Sequence, residues 1–280
     1  MKIVDPQVEL VSQNDAESLH IAKYARICYG SNKLVNNDTL CNNLWKNNHR
    51  SMFRHAGVYY KIPVDGSFND KDVYLLYSEY CNVGRDANYI YISTNRQYAR
   101  ECLVDYSDYE IPLEEAKNIE PFVKHKLIYY TFVIDTGIDI TRELNRKSPN
   151  AISERSTRYV DFIKKIGIMF KKCHWMSGLN LYKKCLVNLM CKVDEWFYKI
   201  SRSKYGLNLK PEDARWCLFL DTMSKAAYTY TVRDWEYIIN LRLFDYTGNA
   251  HPDAKIIMLH IKEALEDEGY DLVNYKNEIK

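Results

Sequence analysis

The residues between Arg142 and Tyr159, reading RELNRKSPNAISERSTRY, hold the densest set of groups able to bind a phosphorylated ligand. Five cations (Arg142, Arg146, Lys147, Arg155 and Arg158) and two carboxylates (Glu143 and Glu154) give this stretch a local charge of +3, while the whole chain carries +2. Asn145, Ser148, Asn150, Ser153, Ser156 and Thr157 are interleaved with them. Guanidinium forks grip phosphate bidentately, and hydroxyls and amides add short hydrogen bonds. The mixture suits a polyanion with a polar head, such as a nucleotide. The alternative for such a run is a solvated, charged loop.

The surroundings exclude several classes. The chain has 280 residues, 46% hydrophobic and 27% charged, a globular composition that suits one large domain or two small ones. Net charge near zero argues against a protein that coats nucleic acid. No run approaches the roughly 18 apolar residues of a membrane span. The start, Met1 to Pro6, lacks the apolar core of a signal peptide, so a cytoplasmic protein is expected, in the host cytoplasm if a phage encodes it. Eight cysteines occur without a C-x-x-C pair, which points to reduced thiols and away from zinc. Neither G-x-G-x-x-G nor G-x-x-x-x-G-K-[ST] is present, so a bound nucleotide or flavin would not use a Rossmann or P-loop device. His125, His251 and His260 stand apart in the sequence, and no metal site is expected.

The elements that must position the cationic stretch follow from periodicity. Strands are expected at Val4–Leu10, Val58–Ile62, Asn88–Ser93, Leu127–Ile134 and Ala227–Val232. Helices are expected at Asp15–Tyr29, from the cap region Asn37–Thr39 through Trp45, at Asn95–Cys102, at Ile140 to about Lys147, and at Leu179–Ser201. Three more follow: one opened by Pro211, one over Asp234–Phe244, and one opened by Pro252. An extended piece is expected at Ile166–Phe170. Residues 64–126 read as an insertion on a single domain spanning 1–280, and the strands at 58–62 and 127–134 are expected to pair across it. The fold class is α+β, a small antiparallel sheet flanked by helices.

At Arg142–Tyr159 the sequence resembles the flavin-dependent thymidylate synthases, whose signature has the form R-H-R-x-x-S-x-N-E-x-S-x-R-Y. Glu154, Ser156, Arg158 and Tyr159 keep the spacing E-x-S-x-R-Y, and the first Arg of the signature falls on Arg146. Four further stretches agree in order. Ala25–Tyr29 is similar to the family's A-R-x-C-Y, and His49–His55 to its H-x-S-x-x-E-H turn. Pro211–Arg215 is similar to P-E-x-A-R, and Val232–Arg242 followed by Ala250–Pro252 to the family's late motif. The chain departs from the pattern at Lys147 and Ser148, where the family has H-R, and at Ala151 for Ser and Ser153 for Asn. It departs also at Arg54 for Glu, at Thr231 for Asn and at Tyr237 for His or Asn.

The resemblance implies a flavin-dependent thymidylate synthase-like fold and conversion of dUMP to dTMP. Methylene-tetrahydrofolate would give the carbon, reduced FAD the hydride, and NADPH would reduce the flavin. It implies a homotetramer with sites built between subunits. By position, dUMP would meet Glu143, Arg146, Glu154, Ser156, Arg158, Arg215 and Arg242, with Arg242, Ser156 and Glu154 in catalytic roles. FAD would meet His49, Ser51, Arg146, Lys147, Ser148 and Arg233. The departures fall mainly on flavin positions, so two other readings stay open: a hydroxymethylase acting on pyrimidine nucleotides with weakened or no flavin use, and a non-catalytic nucleotide-binding homologue. Cys173-His174 matches the nucleophile pair of the flavin-free thymidylate synthases but follows Lys-Lys, and a structural thiol is the expected role.

Overall fold

The computed structural model describes residues 2–30, 35–64, 74, 77–147, 149, 151–165 and 167–278. Its strands are β1 (Lys2–Val4), β2 (Gln7–Val11), β3 (Gly57–Pro63), β4 (Asn82–Arg85) and β5 (Tyr89–Asn95), then β6 (Glu110–Ile111), β7 (Tyr129–Gly137), β8 (Ile152–Glu154), β9 (Met169–Lys171) and β10 (Met223–Thr231). The helices of seven residues or more are α1 (Glu17–Tyr29), α2 (Asn37–Lys46), α3 (Arg96–Cys102), α4 (Ile138–Leu144), α5 (Leu181–Arg202), α6 (Val232–Arg242) and α7 (Pro252–Asp267). The expected first strand is split in two, because Pro6 cannot donate to a ladder. The extended piece near 166–170 is β9; Ile166 itself lies outside the described residues.

The architecture is α+β with antiparallel sheets flanked by helices. The central sheet runs β2-β7-β10-β8, with β7 and β10 paired from Met223↔Gly137 to Thr231↔Tyr129. Side chains alternate across it, as the period of a strand requires. Phe132, Ile134 and Tyr228 face Trp235 and Ile239 of α6 and Ile257, Ile261 and Leu265 of α7. Val133 and Ala227 point the other way, toward Tyr24 of α1. The hydrophobic run of β7 is therefore buried on both faces.

One expectation is corrected. The strands at 58–62 and 127–134 do not pair; they belong to different sheets. The second sheet runs β4-β5-β3-β6 and joins β3 to β5 from Gly57↔Asn95 to Pro63↔Tyr89. The nearer segment in sequence takes the ladder, at a lower cost in loop closure. The sheets instead touch through side chains: the Tyr129 N–H donates to Tyr59 Oη at 3.0 Å, and the Tyr129 side chain lies 3.0 Å from where a Cβ on Gly57 would stand. A side chain at 57 would force them apart. A parallel pair, β1 with β9, closes the molecule beside α5.

A polar spine runs through the middle. His55, fully buried, bridges Thr229 Oγ1 through Nδ1 at 2.8 Å and Ser153 Oγ through Nε2 at 2.9 Å. Ser153 Oγ in turn reaches Met52 Sδ at 3.3 Å, and Thr229 reaches Thr131 at 2.6 Å. Burial, with a smaller push from His20, moves the His55 pKa down to about 3, so the ring is neutral at physiological pH. This hydrogen-bonded histidine fixes the 49–55 turn onto the strand that leads to Glu154.

Candidate functional site

Local sequence explains how the candidate residues are held. Gly137 ends β7 and α4 begins at once, so Thr141, Glu143 and Asn145 project beside the sheet. Thr231 caps α6, its Oγ1 accepting from the Asp234 N–H at 3.2 Å. Eleven residues later the helix ends on Arg242. β8 is short, and its register against β10 places Glu154 opposite Ala226, with Ser224 two residues along on the same side.

Glu154 is the best-supported polar group of the site. Its Oε1 accepts from Thr141 Oγ1 at 2.8 Å and Ser224 Oγ at 3.1 Å, and its Oε2 from Asn145 Nδ2 at 3.2 Å. Tyr228 Oη then donates to Asn145 Oδ1 at 3.0 Å. A carboxylate held by neutral donors keeps its charge unneutralised and its position fixed. Asn145 lies within the stretch read from sequence. Thr141, Ser224 and Tyr228 lie outside that stretch: strand register brings Ser224 to Glu154, the helix after β7 brings Thr141, and Tyr228 reaches the carboxylate only through Asn145.

The predicted cations fall into two groups. In the first, Arg242 is half-buried; its Nη2 donates to the Glu143 carbonyl at 3.2 Å, and its Nη1 lies 4.0 Å from the Glu143 carboxylate. Arg242, Glu143, Arg146, Lys147, Tyr237 and Leu241 line an open cleft of about 440 Å³. In the second group, Arg158 Nη2 donates to Glu212 Oε2 at 3.4 Å and Arg215 Nη1 donates to Thr157 Oγ1 at 3.2 Å. Ser156 Oγ accepts the Arg158 N–H at 3.1 Å, and the Ser156 N–H donates to the Cys28 carbonyl at 3.0 Å. Arg158 and Arg215, 57 positions apart, thus share one patch. Glu154 links the groups: its partners Thr141 and Asn145 flank Glu143, and Ser156 follows two residues later.

The residues expected to hold a flavin are less gathered. Lys147 Nζ pairs with Asp234 Oδ1 at 3.0 Å, and Arg233 donates to Asn82 Oδ1. His49 is exposed just before the turn at Arg50–His55 and Ser51 is exposed within it, Arg146 is exposed, and Ser148 lies outside the described residues. Arg54, where the family has Glu, donates to Gln97 Oε1 at 2.8 Å and stacks over Tyr80. Among the described residues, these groups do not make a cradle for a flavin pyrophosphate.

A second polar cluster corrects the view of His251 as isolated. His174, His251 and Asp253 offer ligand atoms within 4.8 Å of one another. Asp253 is already engaged on both oxygens, by the His174 N–H (2.7 Å) and Nδ1 (3.0 Å), and by the ammonium of fully buried Lys171 (2.7 Å). Lys171 also holds Asp139 at 2.6 Å. The Lys171 ammonium pairs with the Asp253 carboxylate, and the cluster ties β9 to the start of α7. Beside it Cys173 is buried and its thiol is pushed up to about 12, chiefly by burial, which leaves it inert as a nucleophile.

The fold and these clusters define an α+β protein with a carboxylate fixed by neutral donors and two separate groups of guanidinium side chains. The family described as thymidylate synthase complementing protein matches residues 124–268, more than half of the chain, and the chain belongs to that family of thymidylate synthase-like enzymes. The matched segment includes Glu143, Arg146, Glu154, Ser156, Arg158, Arg215 and Arg242. A comparison with curated proteins finds no match. Among solved structures, the chain is similar to the UMP/dUMP methylase PolB from Streptomyces cacaoi bound with 5-Br dUMP, at 15% identity and a TM-score of 0.45, covering 95% of this chain and 93% of that one. The same methylase with 5-Br UMP gives 14% identity and 0.45, covering 95% and 92%. Thymidylate synthase X from Helicobacter pylori with FAD and dUMP gives 16% identity and 0.37, covering 54% and 76%.

Proposed function

We propose that the chain binds a pyrimidine nucleoside monophosphate, dUMP, and transfers to it a one-carbon unit from methylene-tetrahydrofolate, giving dTMP. The contiguity of Arg158 and Arg215 with Ser156 and Thr157 carries the reading. Two guanidinium groups and two hydroxyls in one open patch match the oxygens of a 5′-phosphate. Glu212 at 3.4 Å from Arg158 is an exposed partner that a phosphate would displace at little cost. Glu154, held by three neutral donors, orients the sugar or base. Arg242 at the pyrimidine carbonyls stabilises negative charge as C5 becomes nucleophilic, an electrostatic role of the oxyanion type. Arg146 and Glu143 complete the cleft around the base. On this reading the chain is one domain, residues 64–126 are its insertion, and the site is closed by neighbouring copies in a homotetramer.

In the family's reaction reduced FAD supplies the hydride and NADPH restores the flavin. The engagement of Lys147 with Asp234 and of Arg233 with Asn82 favours a second reading, a one-carbon transferase that makes a hydroxymethyl nucleotide with weakened flavin use. Removing a charged hydrogen-bond partner costs roughly 1.5–3 kcal/mol, enough to lower flavin affinity by one or two orders of magnitude. The test is direct: record the visible spectrum of the purified protein, then assay dUMP with methylene-tetrahydrofolate. Bound flavin and dTMP support the first reading, and a colourless protein with a hydroxymethyl product the second. Binding of dUMP without turnover leaves a nucleotide-binding homologue, and absence of dUMP binding removes all three.

A further inference from the structure

The helix α5 has three faces instead of two. Val187, Cys191, Asp194, Tyr198 and Ser201 face the body. Lys184, Asn188, Lys192, Glu195 and Lys199 form a polar face. Between these faces a third carries Tyr182, Leu186, Leu189, Met190, Val193, Trp196 and Phe197, all exposed; Tyr182 is 75%, Leu189 57% and Trp196 55% accessible. A surface helix needs one apolar stripe to bind its own body. A second stripe this long marks a contact with another molecule. From Tyr182 to Phe197 it runs about 22 Å at ~1.5 Å per residue. Trp216, 65% exposed, lies in the turn that packs against the same helix.

The spacing of the stripe identifies the occupant. Leu189 and Met190 sit at its centre, Leu186 and Val193 three residues outward on either side, and Tyr182 and Phe197 seven residues outward. Six of the seven apolar positions are symmetric about the 189–190 peptide bond, and Trp196 mirrors Lys183. Two copies laid antiparallel across a twofold axis would set Leu189 against Met190, Leu186 against Val193 and Tyr182 against Phe197, the self-complementary pattern of an isologous interface. Seven large apolar side chains from each copy reach the order of the ~800 Å² per partner that a stable interface buries. We infer that this face of α5 is the antiparallel contact between two copies of this chain. The inference deepens the reading of a site shared between subunits, since α5 packs through Cys191 and Tyr198 on Ala214, next to Arg215. It does not depend on which nucleotide binds.

The test is the mass of the full chain in solution, by sedimentation velocity and light scattering. Wild type is expected to have at least the mass of a dimer. Leu189→Glu and Leu189→Lys each place like charges at the twofold centre and should weaken association by at least about 100-fold, halving the mass at micromolar concentration while the circular dichroism stays unchanged. An equimolar mixture of the two variants should recover the wild-type mass, because opposite charges then face each other. A monomeric wild type, variants of unchanged mass, or a mixture that stays dissociated would overturn the antiparallel pairing. A monomer that co-sediments with phosphatidylserine vesicles would assign the stripe to a lipid surface and overturn it as well. Calorimetry with dUMP on the same samples separates the two proposals: mass loss without any wild-type dUMP binding removes only the nucleotide reading.

Discussion

Arg242 and Arg158 carry the same guanidinium group in different surroundings. Arg242 is half-buried, anchored to the carbonyl of Glu143 and close to its carboxylate. Arg158 stands in solvent with Glu212 at 3.4 Å and its own Tyr159 ring beneath it. A half-buried, anchored cation is pre-organised and loses little entropy on meeting a ligand. An exposed pair is worth little by itself and is screened by salt. The cleft around Arg242 is therefore suited to orienting a base and stabilising transient charge. The patch around Arg158 and Arg215 is suited to capturing a dianion that arrives from solvent.

That contrast can be broken by measurement. Replacing Arg158 and Arg215 together by Ala should lower dUMP affinity by about 1000-fold, at 1.5–3 kcal/mol per charged contact. Calorimetry at fixed salt reads it, and unchanged affinity would remove the phosphate assignment. Arg242→Ala should act differently, lowering turnover by about 100-fold and dUMP affinity by about 10-fold. Equal losses in turnover and affinity would erase the distinction between the patches.

Smaller effects follow from buried charge in the scaffold. Asp194 is buried on the inner face of α5 without a hydrogen bond of normal geometry, and burial raises its pKa to about 6, eased by the Phe219 N–H. The folded carboxyl thus holds its proton more tightly than the unfolded one, so its presence costs stability as pH rises from about 4 to 6. Asp194→Asn should raise the melting temperature by several degrees at pH 7.5, on the order of 2 kcal/mol, and by much less at pH 4. An equal gain at both pH values would show that ionisation is not the cause. His55 has the opposite sign. Its folded pKa lies below the unfolded one, so its contribution is present above about pH 6.5 and is lost as pH falls toward 3. The smallest effect sharpens the comparison of the patches: Glu212→Gln should leave stability within about 0.5 kcal/mol yet tighten dUMP binding a few-fold.

The helices were largely legible in the sequence, because a 3.6-residue period and a cap are local properties. Pro211 and Pro252 each mark a start that the structure keeps, while the helix expected from Asp234 begins two residues earlier, at Val232, capped by Thr231. Strand pairing was less legible. β3 and β7 are both rich in aromatic and β-branched residues, and nothing in their composition says that β3 finds β5 while β7 finds β2 and β10. The candidate site divided in the same way. Glu154, Ser156 and Arg158 lie in the cationic stretch, and Arg215 and Arg242 were reached through the resemblance to the family; of the donors around Glu154, Asn145 lies in that stretch, while Thr141 and Ser224 lie outside it.

By itself, the sequence determined the inventory: a basic, hydroxyl-rich stretch with too few glycines for a phosphate-binding loop, and helices whose apolar stripes require a sheet to cover. Side-chain type and local period are written residue by residue. Only the tertiary structure decided which of those groups share a surface. It set Ser224 against Glu154, Arg215 against Thr157 and Lys171 between Asp139 and Asp253. It also left one stripe of α5 uncovered. Such contacts join residues 32 to 82 positions apart, and their geometry depends on strand register and sheet packing, which no local pattern encodes.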